Sequence, residues 1–260
     1  MKNALVMGSG RSGTSMLAGI LHQAGYFLGE GLYPPHESNP RGFFECRDIN
    51  AINEDLLASS VGKSGRRRRF SFSRHHTVHR PGRNQHWLLL MPPDGKVNPP
   101  GNEMDRRIRA MAEKSPFAYK DPRFSYTLPA WIDRVDRQCR FLCIFRDPGV
   151  TVHSILRECR SREYLKTMDI NRGKGFRVWN RMYSSILQWH RLWSDRFFFV
   201  HYRQVLEGKR ITELSDFLQA DLQSDFADPI LNRSQPQGRV PRESRRIYVE
   251  LCEKAGFRPT

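Results

Sequence analysis

Long apolar runs are missing from this chain of 260 residues. No stretch approaches the roughly 18 apolar residues of a membrane-spanning helix. The first apolar stretch, residues 4–7, is too short for the core of a signal peptide. We therefore expect a soluble protein in the cytoplasm, with no membrane span. The hydrophobic fraction of 38% is still large enough for a core, and the length suits one large α/β domain or two small ones.

Cysteine is scarce and its spacing does not suit a structural role. The 5 cysteines contain no CxxC pair and stand at no spacing from histidine that is typical of zinc sites. Their odd number also leaves at least one unpaired within the chain. The sequence therefore predicts neither a disulfide framework nor a metal site.

Acidic side chains are also in short supply. The chain has 43 Lys and Arg against 27 Asp and Glu, a formal net charge of +16. Residues 1–60 carry 4 basic and 6 acidic side chains, whereas residues 61–83 carry 8 basic and no acidic ones. The second segment is rich in Gly, Ser and Pro and lacks helical or strand periodicity. We therefore expect a basic loop inserted at about 61–100, either as a solvated excursion or as a clamp for an anionic acceptor.

Short runs of β-forming residues alternate with segments of helical periodicity along the chain. The predicted strands cover residues 4–8, 117–120, 140–145 and 197–202. The predicted helices cover residues 14–24, 48–58, 103–114, 125–137, 149–160, 176–194, 211–219 and 242–254. Fully apolar strands between helices indicate an α/β fold, with a parallel sheet of about four to five strands flanked by helices. Without an internal repeat or a clear linker, a single domain over residues 1–260 is favoured.

A glycine-rich loop follows the first predicted strand directly. It reads GSGRSGTS over residues 8–15 and leads into an apolar helix. Backbone N–H groups of such a loop, together with a helix N-terminus, bind anions. The predicted contacts are Gly10, Arg11, Ser12, Gly13, Thr14 and Ser15.

Two common nucleotide motifs fit this loop incompletely. Thr14 occupies the position of the lysine in the Walker A motif GxxxxGK[ST], which disfavours a kinase or NTPase. The loop also matches GxGxxG, but no acidic residue ends a second strand about 20 residues further on, as dinucleotide binding requires. The cation within the loop, Arg11, distinguishes it from both motifs.

Three further segments, in order along the chain, strengthen this signal. They read NPRGFFE over residues 39–45, YKDPR over 119–123 and FRDP over 145–148, and Ser154 follows Arg146 by eight residues. With the loop, they resemble the PAPS-dependent sulfotransferases, particularly the soluble bacterial branch. PAPS is 3′-phosphoadenosine-5′-phosphosulfate. The KDP segment is also similar to that of tyrosylprotein sulfotransferases, and the resemblance covers roughly residues 3–58 and 115–220.

The resemblance implies a P-loop NTPase-like fold and an enzyme that transfers a sulfuryl group from PAPS to a hydroxyl or amine. Such an enzyme releases PAP, the desulfated product, and needs no metal. By resemblance, Arg146 and Ser154 hold the 3′-phosphate of PAPS, and Lys120 stabilises the leaving oxygen. The fork of donors on Arg11 suits the 5′-phosphate. A second interpretation of Arg146 is a salt bridge to a nearby aspartate.

By resemblance to the family, a general base for the acceptor is expected in the turn-rich stretch after the first helix. The candidates are Glu30, His36, Glu37 and Glu45. Glu45 is the first choice because it closes the segment 39–45 just before the second predicted helix. Its alternative role is that of a helix cap, and the histidine-based members of the family keep His36 as a candidate.

Other interpretations stay open. The basic loop would also suit a nucleic-acid-binding protein, although no RNA- or DNA-binding signature accompanies it, and another P-loop nucleotide-binding protein is a further alternative. Asp121 and Arg123 are predicted to pair around Pro122. An aromatic stripe along residues 176–194 is typical of a helix packed in the core, with stacking on a ligand ring as its alternative. The acceptor, possibly anionic, and the oligomeric state are not indicated.

Overall fold

The computed structural model describes residues 1–37, 39–67, 81–92, 96–227 and 238–259. Within them, four parallel strands form one sheet in the order β2-β1-β3-β4. The strands are β1 (Ala4–Met7), β2 (Ala118–Lys120), β3 (Arg140–Phe145) and β4 (Phe197–His201). The predicted α/β fold with a parallel sheet is therefore confirmed.

Helices connect the strands and cover both faces of the sheet. They are α1 (Thr14–Gln23), α2 (Arg47–Arg67), α3 (Asn102–Ala112), α4 (Phe124–Trp131), α5 (Pro148–Ser161), α6 (Arg172–Leu192), α7 (Tyr202–Leu206), α8 (Ile211–Leu218) and α9 (Arg242–Lys254). Each predicted helix is present, although α4 ends six residues early. The short α7 was not predicted. None of the described helices is long and apolar enough to cross a membrane.

Burial of both faces of the sheet explains why the strands read as apolar runs. In β1, Leu5 and Met7 pack into the core beneath α4, α6 and α9, whereas Ala4 and Val6 pack with α1 and α8 on the opposite face. Successive strand side chains point to opposite faces of a sheet. Because both faces are covered, every position of β1 is buried.

The basic segment differs in part from its prediction. Helix α2 extends to Arg67, so the loop predicted from residue 61 is wrong for residues 61–67. Extending an existing helix costs far less free energy than nucleating a new one, and the hydrophobic periodicity of a sequence carries no information about that difference. Residues 86–88 form a 3₁₀ turn, and Leu88, Leu89 and Met91 are buried. Within the rest of the predicted loop, residues 68–80 and 93–95 lie outside the described residues. The single-domain organisation stays a prediction.

Candidate active site

A cleft of about 870 Å³ opens at the carboxyl edge of the sheet. The loops after β1, β2 and β3 all contribute to its lining. Because β1 lies between β2 and β3, the chain reverses its direction of winding beside β1, and ligands of open α/β sheets bind at such a point. The topology therefore brings together the segments that the sequence singled out.

The phosphate loop packs tightly against the rest of the fold. Gly8 has a φ of 145°, and a Cβ there would lie 2.2 Å from the carbonyl oxygen of Ile144. A Cβ on Gly10 would lie 2.5 Å from the ring of Trp87. Any larger residue at either position would displace the backbone or the indole, so both glycines are required by close approach.

The predicted loop contacts divide into two groups. Gly10, Arg11, Gly13, Thr14 and Ser15 line the cleft, with Thr14 and Ser15 in the first turn of α1. Ser12 is buried beneath the loop, and its hydroxyl faces Tyr183 instead of the cleft. The N–H groups of a first helical turn have no partner within the helix, which leaves them suited to an anion.

Arg11 links the loop to helix α5. Its φ of 69° lies in the left-handed region that non-glycine residues rarely adopt, and such backbone persists only where the surroundings hold it. The guanidinium Nε donates to Ser154 Oγ at 3.2 Å, and Nη1 lies 3.7 Å from the Glu158 carboxylate. The predicted loop cation and the predicted serine therefore occupy one site.

Arg146 follows the last residue of β3 and also lines the cleft. Its guanidinium lies over the ring of Tyr202, 4.3 Å from the ring centre. The next residue, Asp147, caps α5 by accepting a hydrogen bond from Val150 N at 2.9 Å, and Pro148 occupies the first turn. The RDP sequence thus ends a strand and begins a helix at once, which holds Arg146 at the sheet edge and Ser154 on the same side.

Buried Lys120 and partly buried Glu45 form an ion pair at the opposite side of the phosphate loop. Lys120 ends β2 and is 2% exposed, and its Nζ donates to Glu45 Oε1. The same ammonium lies 3.5 Å from Ser15 Oγ at the start of α1. Glu45 Oε2 accepts a second hydrogen bond from Asn50 Nδ2 at 2.8 Å. A candidate base, a cation and the phosphate loop therefore meet at one point.

The electrostatic environment keeps Glu45 ionised. Burial raises the pKa of its carboxyl group, but the charges of Lys120 and Arg123 outweigh burial and hold that pKa below its ordinary value. Burial lowers the pKa of Lys120, and the Glu45 carboxylate opposes that change. The Glu45 side chain interacts with Lys120 and Asn50 in the cleft and is not engaged as a backbone cap in any described contact.

The remaining candidate bases lie further from this point. His36 and Glu37 line the outer part of the cleft and are exposed. Glu30 does not contribute to the lining, and its backbone carbonyl accepts from Cys46 Sγ. Of the four candidates, Glu45 is the one whose carboxylate contacts Lys120.

A buried polar network behind the cleft was not predicted as a whole. Arg123 Nη1 donates to Asp121 Oδ1 at 2.9 Å, which confirms the predicted pairing. Arg123 Nε also donates to Glu54 Oε1 at 2.6 Å, and Glu54 in turn accepts from the ring and the backbone N–H of His86. A glutamate within a helix, as Glu54 is within α2, carries no signal of such a contact, because its partners are distant in sequence.

The same network holds a segment that lines the cleft. Asn84 N donates to Glu54 Oε2 at 2.9 Å on one side, and the Gln85 side chain donates to the Tyr164 carbonyl on the other. Trp87, two residues after Gln85, packs against Gly10. The cleft wall therefore includes residues of the stretch that the sequence assigned to an inserted loop.

Metal-binding groups do not form a cluster here. Across the described ranges there is no group of three or more His, Cys, Asp or Glu residues placed to hold a metal ion. The cysteines, all of which are described, are free and buried.

Comparison with known proteins agrees with this architecture. The model of a family described as the sulfotransferase family matches residues 4–223. Among solved structures, the sulfotransferase domain from the curacin biosynthetic pathway is 13% identical with a TM-score of 0.53, covering 100% of this chain and 99% of that one. A sulfotransferase from Alicyclobacillus acidocaldarius is 11% identical with a TM-score of 0.49, at 100% and 97% coverage. No curated protein has a significantly similar sequence. Because the family model spans most of the sequence, the chain belongs to the sulfotransferase family.

Proposed function

We propose that this protein transfers a sulfuryl group from PAPS to a hydroxyl or amine of an acceptor and releases PAP. The observation that carries the proposal is the ion pair of Lys120 and Glu45 beside the Ser15 hydroxyl of the phosphate loop. It brings a cation for the leaving oxygen and a base for the acceptor to the same end of an anion-binding loop. A cytoplasmic location and a reaction without a metal ion are part of the proposal.

The donor is assigned to the part of the cleft between the loop and β3. The backbone of residues 8–15 and the Arg11 guanidinium would hold the 5′-phosphosulfate, whose charge suits loop N–H groups and a helix N-terminus. Arg146 and Ser154 would hold the 3′-phosphate. Arg11 Nε and Ser154 Oγ are 3.2 Å apart, which supports a compact site for a ligand with two anionic groups.

The acceptor is assigned to the side of β2. Glu45 would take the proton of the attacking hydroxyl or amine as the new bond to sulfur forms. As the bond between sulfur and the 5′-phosphate oxygen breaks, Lys120 and Arg11 would stabilise the charge that develops on that oxygen. The required work is positioning and charge stabilisation, as in phosphoryl transfer.

The ion pair also suggests how Glu45 becomes basic when it is needed. A carboxylate that pairs with a buried ammonium is a weak base, because protonating it would leave the Lys120 ammonium without a charged partner. Movement of the Lys120 ammonium toward the bound donor would weaken this restraint and raise the pKa of Glu45. Donor binding would then prepare the base.

Thermal unfolding with candidate ligands tests the proposal. PAP without magnesium should raise the melting temperature, and ATP with magnesium should raise it much less, because Thr14 replaces the lysine that reaches the distal phosphates of ATP. A screen with labelled PAPS and a panel of sugars, phenols, lipids and amines would then identify the acceptor. Equal stabilisation by ATP with magnesium would favour a kinase or NTPase, and no stabilisation by PAP would refute the proposal.

A further inference from the structure

The hydroxyl of Tyr183 lies directly beneath the phosphate loop. Tyr183 belongs to the aromatic stripe of α6, and it is fully buried. Its hydroxyl oxygen is 3.1 Å from Ser9 N, 2.9 Å from Ser12 Oγ and 3.0 Å from the carbonyl oxygen of Ile144. A residue expected to be plain core therefore makes polar contacts with two segments of the candidate donor site.

These three contacts use the full capacity of a phenol group, which has one hydrogen to donate and two lone pairs to accept with. The Ile144 carbonyl can only accept, so it takes the hydroxyl hydrogen. Ser9 N–H can only donate, and the Ser12 hydroxyl can donate as well. With this arrangement every partner is satisfied and the position of the oxygen is determined from three directions.

The partners lie on both sides of the assigned donor site. Ser9 and Ser12 flank Arg11 in the loop, and Ile144 precedes Arg146 by two residues at the end of β3. Gly8 approaches the same place, since a Cβ there would lie 3.3 Å from the Tyr183 hydroxyl. The distance between the loop and the end of β3 is therefore set across a single phenol oxygen.

We propose that Tyr183 is a positioning residue that fixes the spacing between the phosphate loop and Arg146, and thereby selects a nucleotide with phosphates at both its 3′ and 5′ positions. This inference rests on the proposed function. The loop needs such support because Arg11 holds a left-handed backbone conformation and Thr14 stands where other phosphate loops have a lysine.

The spacing matters only to a ligand that contacts both halves at once. A nucleotide with one phosphate can bind either the phosphate loop or Arg146, whatever the distance between them. PAP gains affinity from its second phosphate only if the loop and Arg146 stand at the right distance when it binds. Removing the Tyr183 hydroxyl leaves three buried polar groups without their shared partner, which frees the loop to shift relative to β3.

The test measures affinities of Tyr183→Phe by calorimetric titration with PAP, adenosine 5′-phosphate and adenosine 3′-phosphate. Given the usual cost of unpaired buried polar groups, affinity for PAP should fall by roughly tenfold or more. Affinity for each single-phosphate nucleotide should change by less than about threefold, since neither depends on the spacing.

Tyr26→Phe is the matched control. Tyr26 is also buried, and its hydroxyl donates to the Lys2 carbonyl at 3.0 Å, away from the cleft. It should lose stability as any buried tyrosine does but keep its affinity for PAP. If Tyr183→Phe does not fold, Ser12→Ala removes one of the three contacts. It should show a smaller loss of affinity that is still selective for PAP.

Each outcome has one meaning. Unchanged PAP affinity in Tyr183→Phe, or the same loss for all three nucleotides, would overturn the positioning role while leaving the proposed function intact. Ser12→Ala without a selective loss would overturn it equally if the tyrosine variant is unfolded. Absence of PAP binding by the unaltered protein would instead refute the proposed function.

Discussion

The Glu45→Gln substitution tests the centre of the proposed chemistry. It keeps the shape of the side chain but removes the charge that faces Lys120, together with the ability to take a proton. General-base catalysis contributes about 10²- to 10⁴-fold to a rate. We therefore expect kcat on the acceptor found by screening to fall by roughly that factor, with PAP affinity retained.

The effect on stability follows from the burial of the pair. Lys120 is 2% exposed, and its side chain would lose its charged partner. A hydrogen bond to a charged group is worth about 1.5–3 kcal/mol, and the glutamine oxygen would still accept from Lys120. Its amide nitrogen would face Asn50 Nδ2, which donates to Glu45 Oε2 in the unaltered protein, so the Asn50 amide must turn over to present Oδ1. Asn50 Oδ1 is a buried atom without a hydrogen-bond partner among the described residues. A loss of about 2 kcal/mol lowers the melting temperature of a domain of this size by roughly 4–8 °C.

The pH dependence supplies a second measurement. Burial raises the pKa of Glu45, but Lys120 and Arg123 hold it below its ordinary value. A depressed pKa contributes stability that is present above the unfolded value, about 4.3, and is lost as the pH falls through the folded value. The free energy of unfolding should therefore differ most between the unaltered protein and Glu45→Gln at pH 7, and the difference should shrink in acid.

Glu37→Gln is the control, because Glu37 lines the same cleft and is exposed. It should leave both kcat and the melting temperature nearly unchanged. Should Glu45→Gln keep a rate close to that of the unaltered protein while Glu37→Gln or His36→Gln loses it, the assignment of the base is wrong.

Three other substitutions follow from the same contacts. Arg146→Ala should weaken PAP by roughly 10- to 100-fold in calorimetry, as expected for lost charge-assisted hydrogen bonds, and leave adenosine 5′-phosphate unaffected; equal losses would refute its role at the 3′-phosphate. Glu54→Gln should cost about 3–5 kcal/mol in urea unfolding at pH 7, because it breaks a buried ion pair with Arg123 and turns an amide nitrogen toward a backbone N–H, that of Asn84 or of His86. A cost below about 1 kcal/mol would contradict this. Asp147→Ala removes the cap of α5 and should cost about 1 kcal/mol of stability. We expect a small fall in melting temperature, with the far-ultraviolet circular dichroism of the folded protein nearly unchanged.

Much of the fold was readable because the strands are covered on both faces. Residues 140–145 were predicted as a strand with the bounds that the structure shows, since every residue of this strand after Arg140 is apolar and buried, as is typical of a parallel strand between helices. The start of α5 was also readable, because Asp147 and Pro148 are the residues that begin helices. These signals depend on residues that are neighbours along the chain, so the sequence alone is enough to recognise them.

The contacts that make the site were not readable in this way. Lys120 and Glu45 are 75 residues apart, and Arg11 and Ser154 are 143 apart. Their types and motifs marked them as candidates, but the choice of Glu45 among four bases depended on resemblance. The same limit hid Glu54, whose partners His86 and Arg123 lie on other segments.

By itself, the sequence determined the alternation of strands and helices, the phosphate loop and the family, because each depends on residues that are close along the chain. Its shortage of acidic residues and its apolar pattern limited the class of protein without indicating a site. The tertiary structure decided which carboxylate contacts Lys120, that α2 continues into the basic segment, and that Tyr183 joins the loop to β3. The first and the last of these outcomes depend on the order of strands in the sheet, which brings the carboxyl ends of β1, β2 and β3 together in space. The length of α2 depends on how far a helix propagates once it has formed.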